Sequence, residues 1–403
     1  MIEAAIQAFG MVFPYLSYSF LPDMVRLHIT SCKHKLSRKS LIDAWSWYTK
    51  CVKIIKNQDL SLLTSFQTGG PAETFIVIEQ TNDLREVLTD YKKPLWLLGS
   101  GANTLISDHG LPGTTLQFRN DKIEISEEAD GALCIADAGV DWDAFVQATI
   151  AHGLWGLEFT SGIPGTVGAA VVGNIAAYGQ AVSDRLAWVE VVSTTGDPTI
   201  TECLKTPELG LKYRYSDFQN AKLGDRVIVR AAFQLSTKPT GDLAYASAQK
   251  AASDLGLSTD TLAHRRTIIM EARKRAGSLI EPGNTHKTAG SFFRNPHVSK
   301  AQAEQIIAHE ENNISMEQIM GQNSAHSGDA YRVSAAHVLL AAGFKRGQAW
   351  GPVRLHPDHI LKLENTGGAT SQQIYDVAQE IIGTVKEKLH IDLEAEVRFL
   401  GEF

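Results

Sequence analysis

The sequence predicts an α+β fold of two or three domains. The chain has 403 residues, and a domain commonly takes about 100–200 of them. From about residue 60 onward, β-rich runs and helical spacings follow one another, with no internal repeat or low-complexity tract. Hydrophobic residues make up 44% and charged residues 21% of the chain. This composition is typical of a globular protein and excludes a largely disordered one.

The first part of the chain mixes strands and helices in an order that supports this class. Runs of β-branched and apolar residues predict strands at 74–79, 94–98, 114–117, 123–125, 133–136, 186–193 and 227–235. Apolar residues at helical spacing predict helices at 82–90, 142–152, 245–255 and 261–276.

The C-terminal part is predicted to be a further α+β segment, which follows a Gly/Asn/Thr turn at 282–285. Helical spacing returns at 299–309, 335–342 and 371–389. An alternating strand at 393–400 closes the chain. Its period of two places Glu394, Glu396 and Arg398 on one face, and the pattern alone favours a solvent-facing position for all three.

Residues 1–54 are predicted to be an N-terminal extension of unknown role. No basic segment precedes the apolar residues of 1–27, and Pro14 and Pro22 divide them. The pieces are shorter than the roughly 20 apolar residues that a spanning helix needs, so we expect neither a secretory signal nor stable membrane insertion. The basic stretch 33–56 favours a solvated arm, with weak association with a membrane surface as the alternative.

Charge and cysteine usage limit the partners and the compartment. Lys and Arg number 38 against 45 Asp and Glu, and the net charge of −7 offers no electrostatic basis for binding nucleic acid. A phosphorylated ligand would need loop amides, helix N-termini or single basic side chains. The four cysteines form no CxxC pair, so we expect no disulfide framework, no metal site and a reducing, cytoplasmic compartment.

Two glycine-rich segments are candidates for ligand contact. Gly99–Asn103 follows an apolar strand, and its small residues let backbone amides converge on an anion, although the pattern alone is more typical of a turn. Thr104 stands where a dinucleotide fingerprint has its third glycine. In 153–180, glycines recur at gaps that fit neither helix nor strand, which favours a backbone lying against a planar or phosphorylated ligand over a set of tight turns.

Three further segments can each be explained as an ordinary turn or surface loop without a catalytic role. Ser291 lies between Gly290 and two aromatic residues, without the Gly-x-Ser-x-Gly elbow of a hydrolase, and could be an ordinary turn hydroxyl. The stretch 213–216 reads as a surface loop. Gly69-Gly70-Pro71 reads as a turn. A functional Glu396 would need burial and a partner of opposite charge.

Taken together, these segments closely resemble the UDP-N-acetylenolpyruvoylglucosamine reductases, the MurB-type flavoenzymes of peptidoglycan synthesis. The resemblance covers about 55–403 and follows the family's order. Its motifs are SFQTGGPA, LGSGANTLISD, GLEFTSGIPGTVGAAVVGNIAAYG, YRYSDF, AGSFFRNP, HILKLENTGGAT and LEAEVRFLG. A chance match to seven ordered motifs is implausible.

The resemblance implies a fold, a cofactor and a reaction. The fold would be a two-subdomain FAD-binding fold of the vanillyl-alcohol-oxidase type at 55–118 and 119–280. A C-terminal α+β substrate-binding domain would follow at 281–403, with its last strand returning to the active site. A monomer would use untethered FAD and NADPH to reduce the enolpyruvyl UDP-sugar. The alternatives are another FAD oxidoreductase of this fold, acting on an alcohol or hydroxy acid, and a non-catalytic flavin-binding regulator.

Site residues are carried over motif by motif. The resemblance gives catalytic roles to Arg214, Ser291 and Glu396. The residues expected to contact FAD are Gly99, Ser100, Gly101, Ala102, Asn103, Ser161, Gly162, Ile163, Gly165, Thr166, Gly173, Asn174, Ala177 and Tyr178. Those expected to contact the substrate are Tyr245, Arg275 and Asn295, with Tyr245 on a loop like that of the family's tyrosine-bearing subclass.

Two positions depart from the family's pattern. Ala176 stands where many relatives have glycine. The segment before Ser291 lacks the lysine that relatives place there for the substrate's pyrophosphate, for which Arg275 or Lys274 could substitute.

Overall fold

The computed structural model describes residues 52–279, 287–309, 314–319 and 331–403. The chain divides into two units, Met1–Cys51 and Val52–Phe403. Residues 1–51 of the predicted N-terminal extension therefore lie outside the described residues, and so does the predicted turn at 282–285. The predicted α+β class is confirmed, since the second unit contains three main sheets, each accompanied by helices.

The first sheet has the strand order β1-β2-β5-β3. Its β1 is antiparallel to β2, whereas β5 runs parallel to both β2 and β3. Helix α1 buries Leu84, Val87 and Leu88 in the apolar cluster of this sheet. The elements are β1 (Lys53–Asp59), β2 (Pro71–Ile78), α1 (Thr81–Thr89), β3 (Leu95–Leu98), β4 (Thr104–Ile106) and β5 (Leu111–Phe118).

The second sheet is antiparallel throughout, with the order β11-β10-β12-β7-β6. Its core contains the rings of Trp142, Phe145 and Phe233, whose centroids are 5.2–5.9 Å apart. The strands of this sheet are β6 (Ile123–Glu128), β7 (Gly131–Asp137), β10 (Leu186–Ser193), β11 (Thr201–Lys205) and β12 (Arg226–Ser236). Two short strands, β8 (Ala176–Ala177) and β9 (Gln180–Ala181), lie between β7 and β10 in the sequence and form a separate pair. The helices are α2 (Trp142–Ala151), α3 (Val167–Gly173), α4 (Ala246–Leu255) and α5 (Leu262–Arg275).

The third sheet belongs to the C-terminal segment and has the order β13-β14-β15. Phe292, Phe293 and the inner face of the long C-terminal helix share one apolar cluster beside it. The elements are α6 (Lys300–Ile307), α7 (Ala335–Ala341), β13 (Ala349–Trp350), β14 (Val353–Leu355), β15 (Leu363–Asn365), α8 (Ser371–Leu389) and β16 (Arg398–Leu400).

Two sets of contacts connect the C-terminal segment with the residues that directly follow the first glycine loop. Strand β16 pairs in parallel with β4, which follows that loop directly. The carboxylate of Asp108 accepts hydrogen bonds from the amides of Ser371 and Gln372, each at 2.9 Å, and so satisfies the N-terminus of α8. The end of the chain is therefore held at the glycine loop, where a site between the segments can form.

The structure corrects two details of the sequence interpretation. The glycine-rich stretch contains a helix, α3, although its glycine spacing fitted neither periodicity. A Cβ at Gly168 would lie 3.0 Å from Ala138 Cβ, so small residues serve close helix–strand packing there. The closing strand is regular only at Arg398–Leu400, and Ala395 forms an isolated bridge with Phe293.

Candidate active site

Arg214 lies at the tip of a tight hairpin. Lys212 and Tyr215 exchange two backbone hydrogen bonds of 3.0 and 3.1 Å, which leaves only two residues in the turn. Arg214 has a φ of 52°, a left-handed conformation that costs a non-glycine residue about 1–2 kcal/mol. Its Nη2 donates to the carbonyl of Ala176 at 3.0 Å. The predicted surface loop is thus a constrained turn that fixes one guanidinium.

Glu396 is the ionic partner of Arg214. Arg214 Nε lies 3.0 Å from Glu396 Oε1, and each side chain is 22% exposed. The Glu396 amide donates to the carbonyl of Phe292 at 2.7 Å, while Asn103 Nδ2 donates to the Glu396 carbonyl at 3.1 Å. The backbone amide and carbonyl of Glu396 are therefore both bound, whereas the Glu394 side chain, two residues earlier, is 71% exposed. The expectation of a solvent-facing carboxylate holds for Glu394 and is wrong for Glu396.

Ser291 immediately precedes Phe292, the residue whose carbonyl binds the Glu396 amide. It is half-buried, and its Oγ has no hydrogen-bond partner within the described ranges. The structure thus brings Ser291, Arg214 and Glu396 to one place, beside Asn103 of the first glycine loop. A guanidinium, a carboxylate and an uncommitted hydroxyl together can stabilise an oxyanion and deliver a proton.

The first glycine loop presents free amides. The N–H groups of Ser100, Gly101 and Ala102 have no acceptor among the residues that the structure describes. Gly101 has a φ of 72°, and a Cβ there would lie only 1.8 Å from the carbonyl oxygen of Leu63. Glycine is therefore required for this loop geometry, and the geometry leaves backbone donors available to an anion.

The second glycine loop, 161–166, lies next to the first. A Cβ at Gly99 would be 3.1 Å from Ala169 Cβ and 3.4 Å from Thr166 Oγ1. The amides of Gly165 and Thr166 also lack an acceptor in the described part of the chain, and the space in front of Gly165 is open to 4 Å. Ile163 and Ser161 lie in the same loop. Two adjacent sets of free amides fit the pyrophosphate of FAD, which needs several donors at close approach.

The stretch 173–178 adjoins the Arg214 hairpin. Asn174, with a φ of 40°, ends α3 after Gly173, and both polar groups of its side chain are used within the protein. Its Nδ2 donates to the Lys212 carbonyl at 2.8 Å, and its Oδ1 accepts from the Ser183 amide at 3.0 Å. Asn174 therefore braces the hairpin. Ala177 lies beyond it in β8.

Tyr178 and Tyr245 form an aromatic pair at this edge of the site. Their rings meet edge to face with centroids 5.7 Å apart. Burial raises the pKa of the Tyr178 hydroxyl above its ordinary value. Tyr178 is half-buried and Tyr245 is 41% exposed, so the Tyr245 ring is the more accessible of the two.

The other two residues expected at the substrate have different surroundings. Asn295 Oδ1 accepts from the Ala335 amide at 2.9 Å, which satisfies the first turn of α7 close to the Ser291 segment. The structure does not bring Arg275 to the cluster. Its guanidinium pairs with Asp254 at 2.5 Å and with Glu271 at 2.7 Å on α5.

Lys362 is a buried basic residue that was not predicted to belong to the site. Lys362 is only 1% exposed, and its Nζ donates to the carbonyls of Ala276 and Gly277 at 2.7 and 2.6 Å. Burial, with the charge of Arg273 nearby, lowers the pKa of Lys362 to about 8. This ammonium reaches the segment where the family's lysine is missing. Only its place in the HILKLENTGGAT motif could have drawn attention to it.

Two further basic residues, Arg294 and Arg398, were also not predicted to belong to the site. Arg294 Nη2 and Arg398 Nη1 both donate to Gln219 Oε1, at 3.3 and 3.1 Å. Two guanidinium groups thus share one neutral oxygen, and the exposed Glu394 lies 3.4 Å from Arg294 Nη1. The period of the closing strand placed Arg398 on the face of Glu396, which was the available signal.

The chain is similar to known proteins over most of its length. Residues 281–400 match the family model for the UDP-N-acetylenolpyruvoylglucosamine reductase C-terminal domain, and residues 72–202 match a model for an FAD binding domain. A UDP-N-acetylenolpyruvoylglucosamine reductase of Thermobifida fusca is 32% identical over 86% of this chain and 98% of its own length. This chain belongs to that reductase family.

Further relatives support the assignment to the reductase family. A reductase of the same name from Nocardia farcinica is 34% identical over 85% of this chain and 88% of its own length. The crystal structure of the Thermus caldophilus reductase shares the fold, with a TM-score of 0.57 and 22% identity. The matched region covers 87% of this chain and 99% of the Thermus caldophilus chain.

These findings confirm the resemblance, the fold class of an FAD-binding part followed by the family's C-terminal domain, and FAD as the cofactor. Membership of the tyrosine-bearing subclass stays a prediction. Within the described ranges, no helix is both long enough and apolar enough to span a membrane.

Proposed function

We propose that this reductase-family chain is a UDP-N-acetylmuramate dehydrogenase. It uses FAD and NADPH to reduce UDP-N-acetylenolpyruvoylglucosamine to UDP-N-acetylmuramate, a step of peptidoglycan precursor synthesis. The observation that carries the proposal is the 3.0 Å ion pair of Arg214 and Glu396 beside the uncommitted Ser291. Bound FAD would supply a two-electron relay from NADPH to the substrate's carbon–carbon double bond. We further propose that the enzyme acts in the cytoplasm as a monomer.

The two glycine loops would hold the cofactor. The free amides of Ser100, Gly101 and Ala102, with those of Gly165 and Thr166, would receive the pyrophosphate. The net charge of −7 makes such local donors necessary, because the protein as a whole does not attract anions. The stretch 173–178 would lie along the rest of the cofactor.

Arg214 would stabilise the charge that develops on the substrate. Reduction breaks the π bond of the enolpyruvyl group, adds hydrogen at the methylene carbon and leaves negative charge on the carbon next to the carboxylate. That charge spreads into the carboxylate as an enolate. A guanidinium that remains protonated and is held by Ala176 and Glu396 is ready for this oxyanion before the reaction begins.

Ser291 would complete the reaction by giving its Oγ proton to that same carbon. One hydrogen has then been added at each end of the former double bond, and solvent returns a proton to Ser291. A hydroxyl is a weak acid in water, so the nearby positive charge of Arg214 would be needed to make the transfer favourable. Glu396 would keep the guanidinium oriented toward the enolate.

Arg294 and Arg398 would attract the anionic parts of the substrate. They share Gln219 Oε1, and Arg398 begins β16 two residues beyond Glu396. Guanidinium groups bind phosphate and carboxylate oxygens in a fixed, forked geometry. Together with Lys362, whose Nζ binds the carbonyls just after α5, they would supply positive charge in place of Arg275, which pairs with Asp254 and Glu271.

A matched pair of substitutions near the end of the chain tests the proposal. We expect Glu396→Gln to lower the turnover of the enolpyruvyl substrate by about 10²–10³-fold, because the oxyanion-stabilising guanidinium loses its ionic partner. Glu402→Gln changes an exposed carboxylate that takes no part in the proposed binding or catalysis, and it should leave turnover within about twofold. NADPH consumption and UDP-N-acetylmuramate formation are measured for both variants. Equal rates for both would argue against the assigned site, and wild-type protein that forms no product would refute the function.

A further inference from the structure

Helix α5 lies next to the second glycine loop: two of its residues lie close to Gly162, and a third reaches the Gly162 amide through Asp143. Arg266, Met270 and Arg273 are spaced four and three residues apart, so they lie along one face of the helix. A Cβ at Gly162 would lie 2.7 Å from Met270 Sδ and 3.3 Å from Arg273 Nε. The Nε atom of Arg273 is buried and has no hydrogen-bond partner among the residues that the structure describes. The catalytic proposal gives this helix no role.

Arg266 acts on the loop through Asp143 of α2. Its Nη1 and Nη2 contact Asp143 Oδ1 and Oδ2, both at 2.7 Å, in a bidentate ion pair. Asp143 Oδ1 also accepts the Gly162 amide at 2.6 Å, and Gln147 Nε2 donates to Oδ2 at 3.0 Å. Burial alone would raise the pKa of Asp143, but the hydrogen bonds from Arg266 and Gly162 lower it overall. The carboxylate is thus a charged link between α5 and the loop.

The neighbouring Arg265 makes an analogous link at the start of the loop. Its Nη1 lies 2.9 Å from Glu158 Oε1, and the side chains are 6% and 0% exposed. Glu158 Oε2 accepts the Gly156 amide at 2.7 Å, and the Glu158 carbonyl accepts Ser161 Oγ at 2.7 Å. Arg265 and Arg266 therefore each hold one carboxylate, and each carboxylate binds one backbone amide. Glu158 binds the Gly156 amide before the loop, and Asp143 binds the Gly162 amide within it.

We propose that Asp143 and Arg266 are positioning residues for the flavin. By holding the Gly162 amide, they would fix the loop that presents the Gly165 and Thr166 amides to FAD. They touch no reacting atom. The inference rests on the proposed contact between this loop and FAD, and it adds residues outside every motif that carries the resemblance.

The contacts of Asp143 and Arg266 distinguish positioning of the loop from a general contribution to folding stability. The Asp143–Arg266 side chains are 22% and 19% exposed, so loss of one partner is expected to cost folding stability, as it does in any comparably buried ion pair. The charge-assisted hydrogen bond to Gly162, by contrast, acts directly on the loop. Arg226 is a suitable control, because it is 25% exposed, pairs with Glu202 at 3.3 Å on the second sheet and has no contact with the loop.

The test is FAD affinity of the apoprotein, measured by quenching of flavin fluorescence without NADPH or substrate. We expect Asp143→Ala and Arg266→Ala each to raise the Kd for FAD about 10–100-fold, since a hydrogen bond to a charged group is lost or misdirected. Arg266→Lys should recover part of the affinity, and the double alanine variant should resemble the single ones. Arg226→Ala should leave the Kd within about threefold.

Melting temperature of the apoproteins separates positioning from unfolding. The proposal predicts that Arg266→Ala lowers it no more than Arg226→Ala does. It is overturned if Arg266→Ala leaves the Kd for FAD unchanged, or if the Kd rises only as much as in an equally destabilised Arg226→Ala. If Asp143→Ala does not fold, Arg266→Ala and Arg266→Lys decide alone. Wild-type protein that binds FAD but reduces no enolpyruvyl sugar would refute the proposed function and leave this result standing.

Discussion

Ser291→Ala is expected to leave flavin reduction by NADPH almost unchanged and to slow flavin reoxidation by the enolpyruvyl substrate about 10²–10⁴-fold. The first half-reaction needs no proton from the protein, whereas the second needs one at the carbon beside the carboxylate. Ser291→Cys should recover part of the rate, because a thiol is the stronger acid. Stopped-flow absorbance of the flavin separates the two steps.

Ser299→Ala is the matched control for this prediction. Ser299 Oγ accepts the Gln302 amide at 3.3 Å and caps α6, so its loss should reduce stability by about 1 kcal/mol without changing either half-reaction. Equal slowing of both half-reactions in Ser291→Ala, or a lowered flavin content like that of a structural variant, would contradict the proton-donor role.

Gly101→Ala is expected to abolish tight FAD binding. A Cβ would lie 1.8 Å from the Leu63 carbonyl oxygen, and the φ of 72° would itself be strained with any side chain. The loop must move away, which misdirects the amides of Ser100, Gly101 and Ala102. We expect the Kd for FAD to rise by at least about 100-fold, because overpacking and backbone strain each cost roughly 1–3 kcal/mol.

Gly256→Ala is the control for backbone strain, because it has the strained φ of Gly101→Ala without its steric clash. Gly256 has a φ of 64°, and a Cβ there would meet nothing within 4 Å. This variant should carry the strain alone and bind FAD as the wild type does. Isothermal titration of both apoproteins with FAD measures the difference, and similar affinities for the two variants would show that the loop does not hold the cofactor.

Local patterns were sufficient for most of the fold. The helices predicted at 142–152, 261–276 and 371–389 differ from the observed ones by no more than a residue at either end, and each begins directly after a capping side chain, Asp141, Thr261 or Thr370. Helix α3 was missed because its residues are small, and they were selected for contact with Ala138 rather than for helical amphipathicity. Strand β1 was missed because its side chains are mostly exposed and basic or polar.

The site was predictable only where a motif carried it. Arg214, Ser291 and Glu396 belong to distinctive segments, and the structure brings them together as the resemblance implied. Asp143 and Arg266 are separated by 123 positions, and Lys362 binds carbonyls 85 and 86 positions earlier. Contacts at such separations depend on how the sheets pack, and no local periodicity in a single sequence encodes them.

Anaerobic flavin absorbance of the purified holoprotein tests the proposed reaction most directly. NADPH should bleach the yellow flavin, and UDP-N-acetylenolpyruvoylglucosamine alone should restore the colour, with one UDP-N-acetylmuramate formed per flavin reoxidised. A flavin that stays bleached after this substrate is added, or one that is reduced by an alcohol or hydroxy acid instead of NADPH, would contradict the proposed function.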